Sequence, residues 1–429
     1  MKKFFLLVYG CQMNVAEGES IRKALLSENY CETVDMTKAD VIILHTCCVR
    51  EAAEEKVLGK IGEIKGIKRD NPDLILGITG CMAQKENEKL FKRAPHIDFI
   101  LGTANLSEIL SVISSIENER KHILKIDFEG GDILPVAVSK FSVYIPIMTG
   151  CNNFCSYCIV PYVRGRETSR SVVDILRDVK NAAATGAKEV TFLGQNVNSF
   201  APKEGGDFAD LLTEADKIDG ISRIRFMTSH PKDLSDKLID ALAKGEHIAP
   251  HLHLPMQHAS NRILKAMNRN YTKEHYLNLL DKLRKKLCHI SVTTDLIVGF
   301  PSETEEDFEE LLEFVKIARW DAAYTFIYSK RSGTPAAIME NQVEESVKHE
   351  RLNRLMETQN KITREINESL KDNVEVVLVE GESKTKGVYQ GRTAANKLVL
   401  FAHKDEKPGD VVNVLIKEPQ TWLLKGETV

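Results

Sequence analysis

Three cysteines fall within eight residues, Cys151-Asn-Asn-Phe-Cys155-Ser-Tyr-Cys158, directly after an apolar run and Gly150. Thiolates are the ligands that iron–sulfur clusters require. A C-x3-C-x2-C loop can wrap one cluster corner by corner, and a fourth iron then lacks a protein thiolate and stays open to a small molecule. The competing reading is structural zinc, which ordinarily takes two paired ligands plus two more at a distance. The tight triplet fits that pattern poorly. A second set of cysteines is dispersed: Cys11 follows Gly10, Cys47 follows Thr46 and Cys81 follows Gly80. Each ends a short apolar run and precedes a helical pattern. The C-terminal ends of parallel strands share one edge, where ligands bind, so these three can converge. Helix N-termini beside them favour thiolates and an anionic cluster. Cysteine is also a common small buried residue. That reading suits Cys31 and Cys288, which lie inside apolar patterns. Cys48 is open, since it neighbours Cys47 and competes for the same role.

The elements that must hold these residues alternate. Short apolar runs at Phe4–Tyr9, Val41–His45, Leu74–Thr79 and Phe99–Leu101 read as strands. Helical patterns at 15–27, 51–65, 85–94 and 105–116 follow them in turn. This is the signature of an α/β domain with a parallel sheet. Residues 121–140 are charged and carry Gly130-Gly131, and read as a connector. A second alternation follows, with strands expected at 143–148, 189–193, 223–226, 251–254, 291–298 and 323–328. Six β/α units predict a partial barrel, whose active site gathers at the strands' C-terminal ends. Ser171–Gly186 reads as a helix with one apolar face, and Ser302 with Glu305 as the capping box of another. A long polar helix over 343–370 leads to short β runs at 374–379, 387–390, 398–401 and 411–416, which predict a small β-barrel. The expected domains are therefore 1–120, the connector 121–140, 141–365 and 366–429.

Composition bounds the function. The chain has 429 residues, a formal net charge of -4 and nine cysteines. An odd count without an evident leader argues against a disulfide framework. The apolar start Phe4–Tyr9 before Cys11 is shorter than a secretory core and reads as a strand, so a cytoplasmic location is expected. No apolar run is long enough to span a membrane. The net charge excludes a generally basic surface, and nucleic-acid binding would need local patches. The tail from Lys371 to Val429 holds nine basic and nine acidic residues, so its charge shows no RNA binding.

Polar or small residues close several barrel strands: Gln195 and Asn196, Ser229 and His230, Gln257 and His258, Gly299, and Ser329 to Arg331. They suit a polar cofactor, although each could equally be an ordinary strand-end loop, with His230 and His258 capping turns. His253, alternating with apolar neighbours, reads as satisfied structure. Arg164, Arg166 and Arg170 follow the cysteine loop and suit phosphate contacts at the rim. Phe401 and Trp422 are of a type that stacks bases, and burial is the expectation for both.

C-x3-C-x2-C with Tyr157 before its last cysteine, after the first barrel strand, resembles the radical-SAM superfamily. The resemblance implies a [4Fe-4S] cluster on Cys151, Cys155 and Cys158. Its open iron binds the amino and carboxylate groups of S-adenosylmethionine, and reductive cleavage yields a 5′-deoxyadenosyl radical. Tyr157, Gln195, Asn196, Ser229, His230, Gln257 and Gly299 would then face S-adenosylmethionine. Tyr9 to Asn14, Thr46-Cys47-Cys48-Val49-Arg50 and Gly80 to Gln84 are similar to the three cysteine segments of the methylthiotransferase N-terminal domain. This implies a second [4Fe-4S] cluster on Cys11, Cys47 and Cys81. Gly150 through Glu167, with Tyr162-Val163-Arg164-Gly165-Arg166, resembles the MiaB-type branch, whose members act on isopentenylated adenosine in the anticodon stem-loop of tRNA. Gly391-Arg392-Thr393 with Asn396-Lys397 resembles the TRAM domain, a small RNA-binding barrel. RNA contacts are thus expected from Arg164, Arg166, Arg392, Asn396 and Lys397.

The family chemistry implied is insertion of a methylthio group at carbon 2 of the adenine, with sulfur carried or relayed at the second cluster. One S-adenosylmethionine gives the methyl group and another the radical. The unactivated C–H bond lies beyond acid–base chemistry, so the cofactor carries the hard step. A donor such as flavodoxin or ferredoxin and a monomeric state are expected. The rival readings are methylthiolation of threonylcarbamoyl-adenosine, of a ribosomal-protein aspartate, or a non-catalytic metal-bound RNA-binding protein. Two departures stand out: His45-Thr46-Cys47-Cys48 where Asn-Thr-Cys is usual, and Gln257-His258-Ala259 where Gln-Ser-Gly is usual.

Overall fold

Strands buried on both faces read as near-continuous apolar runs, and Val41–Thr46 and Ile75–Gly80 are buried throughout, with the polar His45, Thr46 and Thr79 near their carboxyl ends hydrogen-bonded to one another's strand. A computed structural model describes residues 1–48, 51–128 and 141–429, with the side chains of 51–53 excepted. Val49, Arg50 and the 129–140 part of the expected connector lie outside the described residues. By its internal contacts the chain forms two compact units. The described part of the first covers 1–128, 144–152 and 159–168, and that of the second covers 141–143, 153–158 and 169–429.

The first unit is built on β1 (Lys3–Val8), β2 (Cys31–Glu32), β3 (Val41–Thr46), β4 (Ile75–Gly80), β5 (Phe99–Leu101) and β6 (Ile123–Lys125). Every pairing is parallel, in the order β2-β1-β3-β4-β5-β6. Ile42 and Leu44 face a core shared with Val57, Ile61 and Ile64 of helix Glu51–Asp70. Val41 and Ile43 face the opposite core, with Ile21 and Leu25 of helix Gln12–Ser27 and Val112 and Ile113 of helix Ile109–Asn118. Helices thus cover both faces. The order reverses between β1 and β3, and doubly wound sheets bind ligands beyond the carboxyl ends of the strands at such a reversal. Two edge strands differ from the sequence expectation. Ile123–Lys125 pairs with β5 although 121–140 reads as connector, and the two-residue β2 is too short for a periodicity to register.

In the second unit the barrel strands form two arcs. Glu189–Leu193 and Arg223–Phe226 pair in one, after the strand Ser142–Pro146 in the chain, and His251–His253, Ser291–Val298 and Ala322–Ile327 make the other, with a parallel bridge from Ile224 to Ile248 between them. This is the partial barrel expected. Helix Val172–Ala184 starts at Ser171, whose hydroxyl accepts from the Asp174 amide. The capping box of helix Glu305–Ala318 is Thr304 with Asp307 rather than Ser302 with Glu305, because Ser302 is in the left-handed region at φ 68°. Helix Glu345–Glu368 leads to a closed barrel of Val374–Glu382, Val388–Thr393, Leu398–Ala402, Leu424–Thr428 and Val411–Pro419. Its core is Val377, Val379, Val399, Phe401, Val414, Ile416 and Leu424. The closing strand Leu424–Thr428 is absent from the sequence expectation. It lies parallel to Leu398–Ala402, and the positions in phase with Leu424 are Gly426 and Thr428, which give no apolar alternation.

A polar seam joins the two barrels of this unit. The buried Arg223 donates to the Arg392 carbonyl (3.1 Å), and Arg225 donates to the carbonyls of Thr393 (2.7 Å) and Ala394 (3.0 Å). Asn367 donates to the carbonyls of Gln420 (2.8 Å) and Thr421 (3.1 Å).

Candidate cluster sites and cofactor mouth

In the first unit, β1, β3 and β4 deliver Cys11, Cys47 and Cys81 to the carboxyl edge beside the strand-order reversal. Glycine makes two of these turns possible. Gly10 (φ 130°) has no Cβ, and one would lie 2.5 Å from Cys47 Cβ. At Gly80 (φ 91°) a Cβ would lie 2.4 Å from the Thr46 carbonyl oxygen. Cys11 caps helix Gln12–Ser27, and its amide (3.4 Å) and thiol (3.3 Å) both donate to Asn14 Oδ1. Asn14 in turn donates to the Thr46 carbonyl (3.2 Å), tying β1's end to β3's. Cys81 opens helix Cys81–Glu86 and packs with Cys48, Ile159 and Val163.

The thiols are not equivalent. A hydrogen bond from Cys47 brings the Cys11 thiol down to about 6 against the resistance of burial, helped by Asn14 and the Arg164 charge. Cys81 is lowered by a hydrogen bond from Cys48, again against burial and with help from Arg164. Cys48 is raised by that same bond and by burial. Cys47 thus turns to Cys11, whereas Cys48 turns to Cys81 and acts as a thiol donor.

Arg164, expected at an RNA-facing rim, is a correction. Its side chain is 5% exposed and grips Glu17 with both terminal nitrogens, at 2.7 and 3.0 Å. Burial resists ionisation of Glu17, but the Arg164 charge and the His45 hydrogen bond outweigh it and hold the carboxyl at about 2. His45 Nε2 lies 3.0 Å from Glu17, and its Nδ1 2.8 Å from the Thr79 hydroxyl. Nε2–H donating to Glu17 and Nδ1 accepting from Thr79 satisfies both contacts. A buried cation beside low-lying thiols suits an anionic iron–sulfur cluster. Among the described residues no three Cys, His, Asp or Glu side chains surround one point, as a single ion would require. Glu17 carries no sequence signal beyond its place three residues after Asn14.

On the Cys151–Cys158 loop, Gly150 (φ 80°) lies under the next turn, where a Cβ would sit 2.0 Å from the Arg166 carbonyl oxygen. The Cys151 amide donates to the Gly165 carbonyl (3.1 Å). Within the second unit, segment 266–269 braces the rest. Ser156 donates to the carbonyls of Met267 (amide, 3.0 Å) and Ala266 (hydroxyl, 2.8 Å), and Asn268 to those of Asn153 (3.1 Å) and Phe154 (3.0 Å). Arg269, buried, donates to Cys155 Sγ (3.4 Å), to the Pro255 carbonyl (3.1 Å) and to the Tyr271 hydroxyl (2.9 Å). Nothing in its spacing singled Arg269 out. Tyr157 packs against the cluster of Ile263, Met267, Phe300 and Tyr328.

The expected cofactor residues follow barrel strands at their carboxyl ends. Asn196 donates to Asp233 (2.7 Å), but its Oδ1 is buried without a protein partner. Ser229 Oγ, His230 Nε2 and both amide atoms of Asn198 are buried and unpartnered as well. Each such atom costs about 1–3 kcal/mol unless a ligand satisfies it. Their clustering after two adjacent strands therefore fits a polar cofactor. His230 and His258 also cap turns, accepting from the amides of Lys232 (3.2 Å) and Ser260 (3.0 Å). Burial, with the charges of Arg269 and Lys232, holds His230 down at about 2. Gln257 (φ 70°) pairs by backbone with Asp295 and Ile297, at 2.8 Å each. The Gly299 amide donates to Glu303 (2.9 Å), and Gln195 is half-buried. His253 is satisfied by Thr293 (3.0 Å), as read.

Of the expected RNA contacts, Arg166 is exposed. Arg392 is 42% exposed, pairs with Glu380 (3.0 Å) and braces the Asn396 carbonyl (3.1 Å). Lys397 is a correction: its ammonium is 14% exposed and held by Asp321 and Asn367, at 2.9 Å each, inside the seam. Phe401 is buried as expected, but Trp422 is 60% exposed.

With this geometry in view, comparison is decisive. A curated relative from Alkaliphilus oremlandii, named tRNA-2-methylthio-N(6)-dimethylallyladenosine synthase, is 50% identical over 438 residues, spanning 100% of this chain and 93% of its own length. The chain belongs to that synthase family. A second member, from Carboxydothermus hydrogenoformans, is 47% identical over 437 residues, 100% of this chain and 99% of its own. Family models match the chain in three blocks: the uncharacterized protein family UPF0004 over 3–102, the radical SAM superfamily over 145–315 and the TRAM domain over 373–429. The fold is similar to that of the radical S-adenosylmethionine methyltransferase TsrM from Kitasatospora setae, solved with cobalamin and a [4Fe-4S] cluster bound. The TM-score is 0.59 at 15% identity, over 79% of this chain and 74% of that one. It is also similar to the cobalamin-dependent radical enzyme OxsB, with TM-score 0.56 at 13% identity, over 84% and 56%. The radical-SAM fold brings S-adenosylmethionine and a [4Fe-4S] cluster with it, and the Cys151–Cys158 loop and the unpartnered polar atoms at the strand ends fit both.

Proposed function

We propose that this protein replaces the hydrogen at carbon 2 of N6-isopentenyladenosine, next to the anticodon of tRNA, with a methylthio group. Full-length identity of about half to synthases of that name is the observation that carries the reading. The second [4Fe-4S] cluster belongs to it, held by Cys11, Cys47 and Cys81. Support comes from their common edge beside the strand-order reversal and from the buried Arg164–Glu17 pair behind them. When bound, S-adenosylmethionine and the two clusters supply a 5′-deoxyadenosyl radical, a methyl group and sulfur. In sum, one S-adenosylmethionine is reductively cleaved to methionine and 5′-deoxyadenosine, which carries off the C2–H hydrogen, and a second gives its methyl group and leaves as S-adenosylhomocysteine. A low-potential donor of the flavodoxin or ferredoxin class provides the electrons.

The chain's own residues bind and orient. Asn196, Ser229 and His230 offer unpartnered polar atoms to the cofactor. Arg269 holds a charge-assisted hydrogen bond on Cys155 in a buried setting. The target base must leave its stack to reach such a mouth, and the TRAM-like barrel would hold the stem-loop, with Arg166 and Arg392 toward phosphate. Among the described residues no helix is long and apolar enough to cross a membrane. We place the enzyme in the cytoplasm as a monomer, with its domains at 1–120, 141–365 and 366–429.

The test is a mass-spectrometric nucleoside profile of tRNA from a bacterial strain lacking its own methylthiotransferases, with and without this gene. Methylthio-isopentenyladenosine is the expected new nucleoside. A threonylcarbamoyl derivative alone would move the protein to the neighbouring branch.

A further inference from the structure

Among the described residues, the two most exposed aromatic side chains are Trp422 (60%) and Tyr324 (55%), and both line the same cleft in the second unit. The cleft has a volume of about 240 Å³. One wall is formed by the amino-terminal ends of three barrel strands, at His251, Ser291 and Ala322. That end is opposite the one carrying Asn196, Ser229 and His230. The other wall is the turn 395–398 and the segment 421–424 of the small barrel.

An exposed tryptophan on a mobile tip would mean little. This one is braced: Asn367 holds the carbonyls of Gln420 and Thr421 just before it, and Arg223 and Arg225 hold those of residues 392–394 across the seam. One exposed ring alone would be ordinary, but two exposed rings on the walls of one cleft make a shared apolar surface of the kind that marks an interaction site. The cleft is smaller than the ~300–1,000 Å³ of sites for drug-sized ligands, so it suits a single planar group.

Charge narrows the occupant. Lys397 is committed to Asp321 and Asn367, and Arg392 to Glu380. The cleft therefore has aromatic faces and hydrogen-bonding groups such as Asn396 but little uncommitted positive charge. That combination recognises a base rather than a phosphate, because every base presents a π face to an aromatic ring. We propose that this cleft is a second nucleotide site, in which one unpaired base of the tRNA loop, other than the target adenosine, stacks between Trp422 and Tyr324. The proposal rests on the reading of tRNA as substrate. It adds an anchor at the opposite end of the barrel strands from the chemistry, so that the loop is gripped at two points.

The chain has two tryptophans. Trp320 is fully buried against Tyr276 and Phe314, with its Nε1–H donating to the Tyr276 hydroxyl (2.9 Å). Quenching of tryptophan emission by added RNA therefore reports on Trp422. The experiment titrates the cluster-loaded full chain with a fluorescently labelled isopentenylated anticodon stem-loop and follows both protein emission and label polarisation. Emission should fall in step with binding, and Trp422→Phe should lose the quenching while still binding. Trp422→Ala and Tyr324→Ala should each weaken binding by about tenfold. In a series of stem-loops with one abasic position each, a single position outside the target adenosine should abolish the quenching. Binding seen by polarisation without a change in emission, or unchanged affinity in Trp422→Ala, overturns the nucleotide site and leaves the substrate reading standing. No polarisation change at all overturns the substrate reading and this proposal with it.

Discussion

Replacing Arg164 with methionine tests whether the site behind Cys11 and Cys81 is an electrostatic unit. The wild-type guanidinium and carboxylate are 5% and 14% exposed and meet through two bonds. Removing one partner of a buried pair leaves an uncompensated charge and costs about 3–5 kcal/mol. Glu17 would retain only His45 (3.0 Å) as a partner. The double variant Glu17→Gln, Arg164→Met removes both charges and should recover much of the loss, since it leaves no lone buried ion. The assay is hydrogen exchange by mass spectrometry on the cluster-free chain, reading peptides from Val41–Thr46 and Ile75–Gly80 against the small C-terminal barrel as an internal standard. At 1.36 kcal/mol per decade, the lower bound of 3 kcal/mol predicts roughly 150-fold faster exchange in the single variant. Acid provides a second arm. The carboxyl of Glu17 is held at about 2 against an ordinary 4.5. Its contribution is thus full above pH 4.5 and lost as pH falls toward 2, and Glu17→Gln should lack that loss. Wild-type exchange in Arg164→Met, or a double variant as impaired as the two single changes summed, would refute the reasoning.

Further outcomes follow from the same geometry. Gly80→Ala forces a Cβ against the Thr46 carbonyl at φ 91°, costing about 1–3 kcal/mol in backbone strain alone. Electron paramagnetic resonance should show loss of the second cluster proposed on Cys11, Cys47 and Cys81, with the Cys151–Cys158 cluster retained. Arg269→Met removes the donor to Cys155, and hydrogen bonds to cluster sulfurs tune the potential. The midpoint potential of that cluster should become more negative, with Arg269→Lys between the two; an unchanged potential counts against this role. His230 is held neutral at about 2, whereas the unfolded chain protonates it below 6.5. Native stability should therefore fall by about 1.4 kcal/mol for each pH unit below that value. His230→Gln should flatten this part of the acid unfolding curve.

The parts of the molecule legible in the sequence are those written in local spacing. The triplet Cys151, Cys155 and Cys158 declares itself within one loop, and Cys11, Cys47 and Cys81 through their common place at strand ends. Polar residues at the barrel mouth follow from strand phase. What escaped depends on partners distant along the chain. Arg164 reads as a rim arginine for phosphate until Glu17, 147 positions away, closes on it. Arg269 reaches Cys155 across 114 positions. Lys397 reads as an RNA contact because nothing near it in sequence announces Asp321. The strand Leu424–Thr428 closes its barrel by a parallel pairing that no local pattern encodes, and Trp422 stands exposed because the seam, rather than its own segment, fixes it.

The most direct test of the account uses purified, cluster-loaded protein with an isopentenylated stem-loop, S-adenosylmethionine and a low-potential reductant, and measures 5′-deoxyadenosine and modified RNA together. Wild type should form both. Cys155→Ala should form neither, and Cys47→Ala should still form 5′-deoxyadenosine but no methylthiolated base. Methylthiolation that survives in Cys47→Ala would contradict the assignment of sulfur chemistry to the first unit, and no modified base in wild type would contradict the function itself.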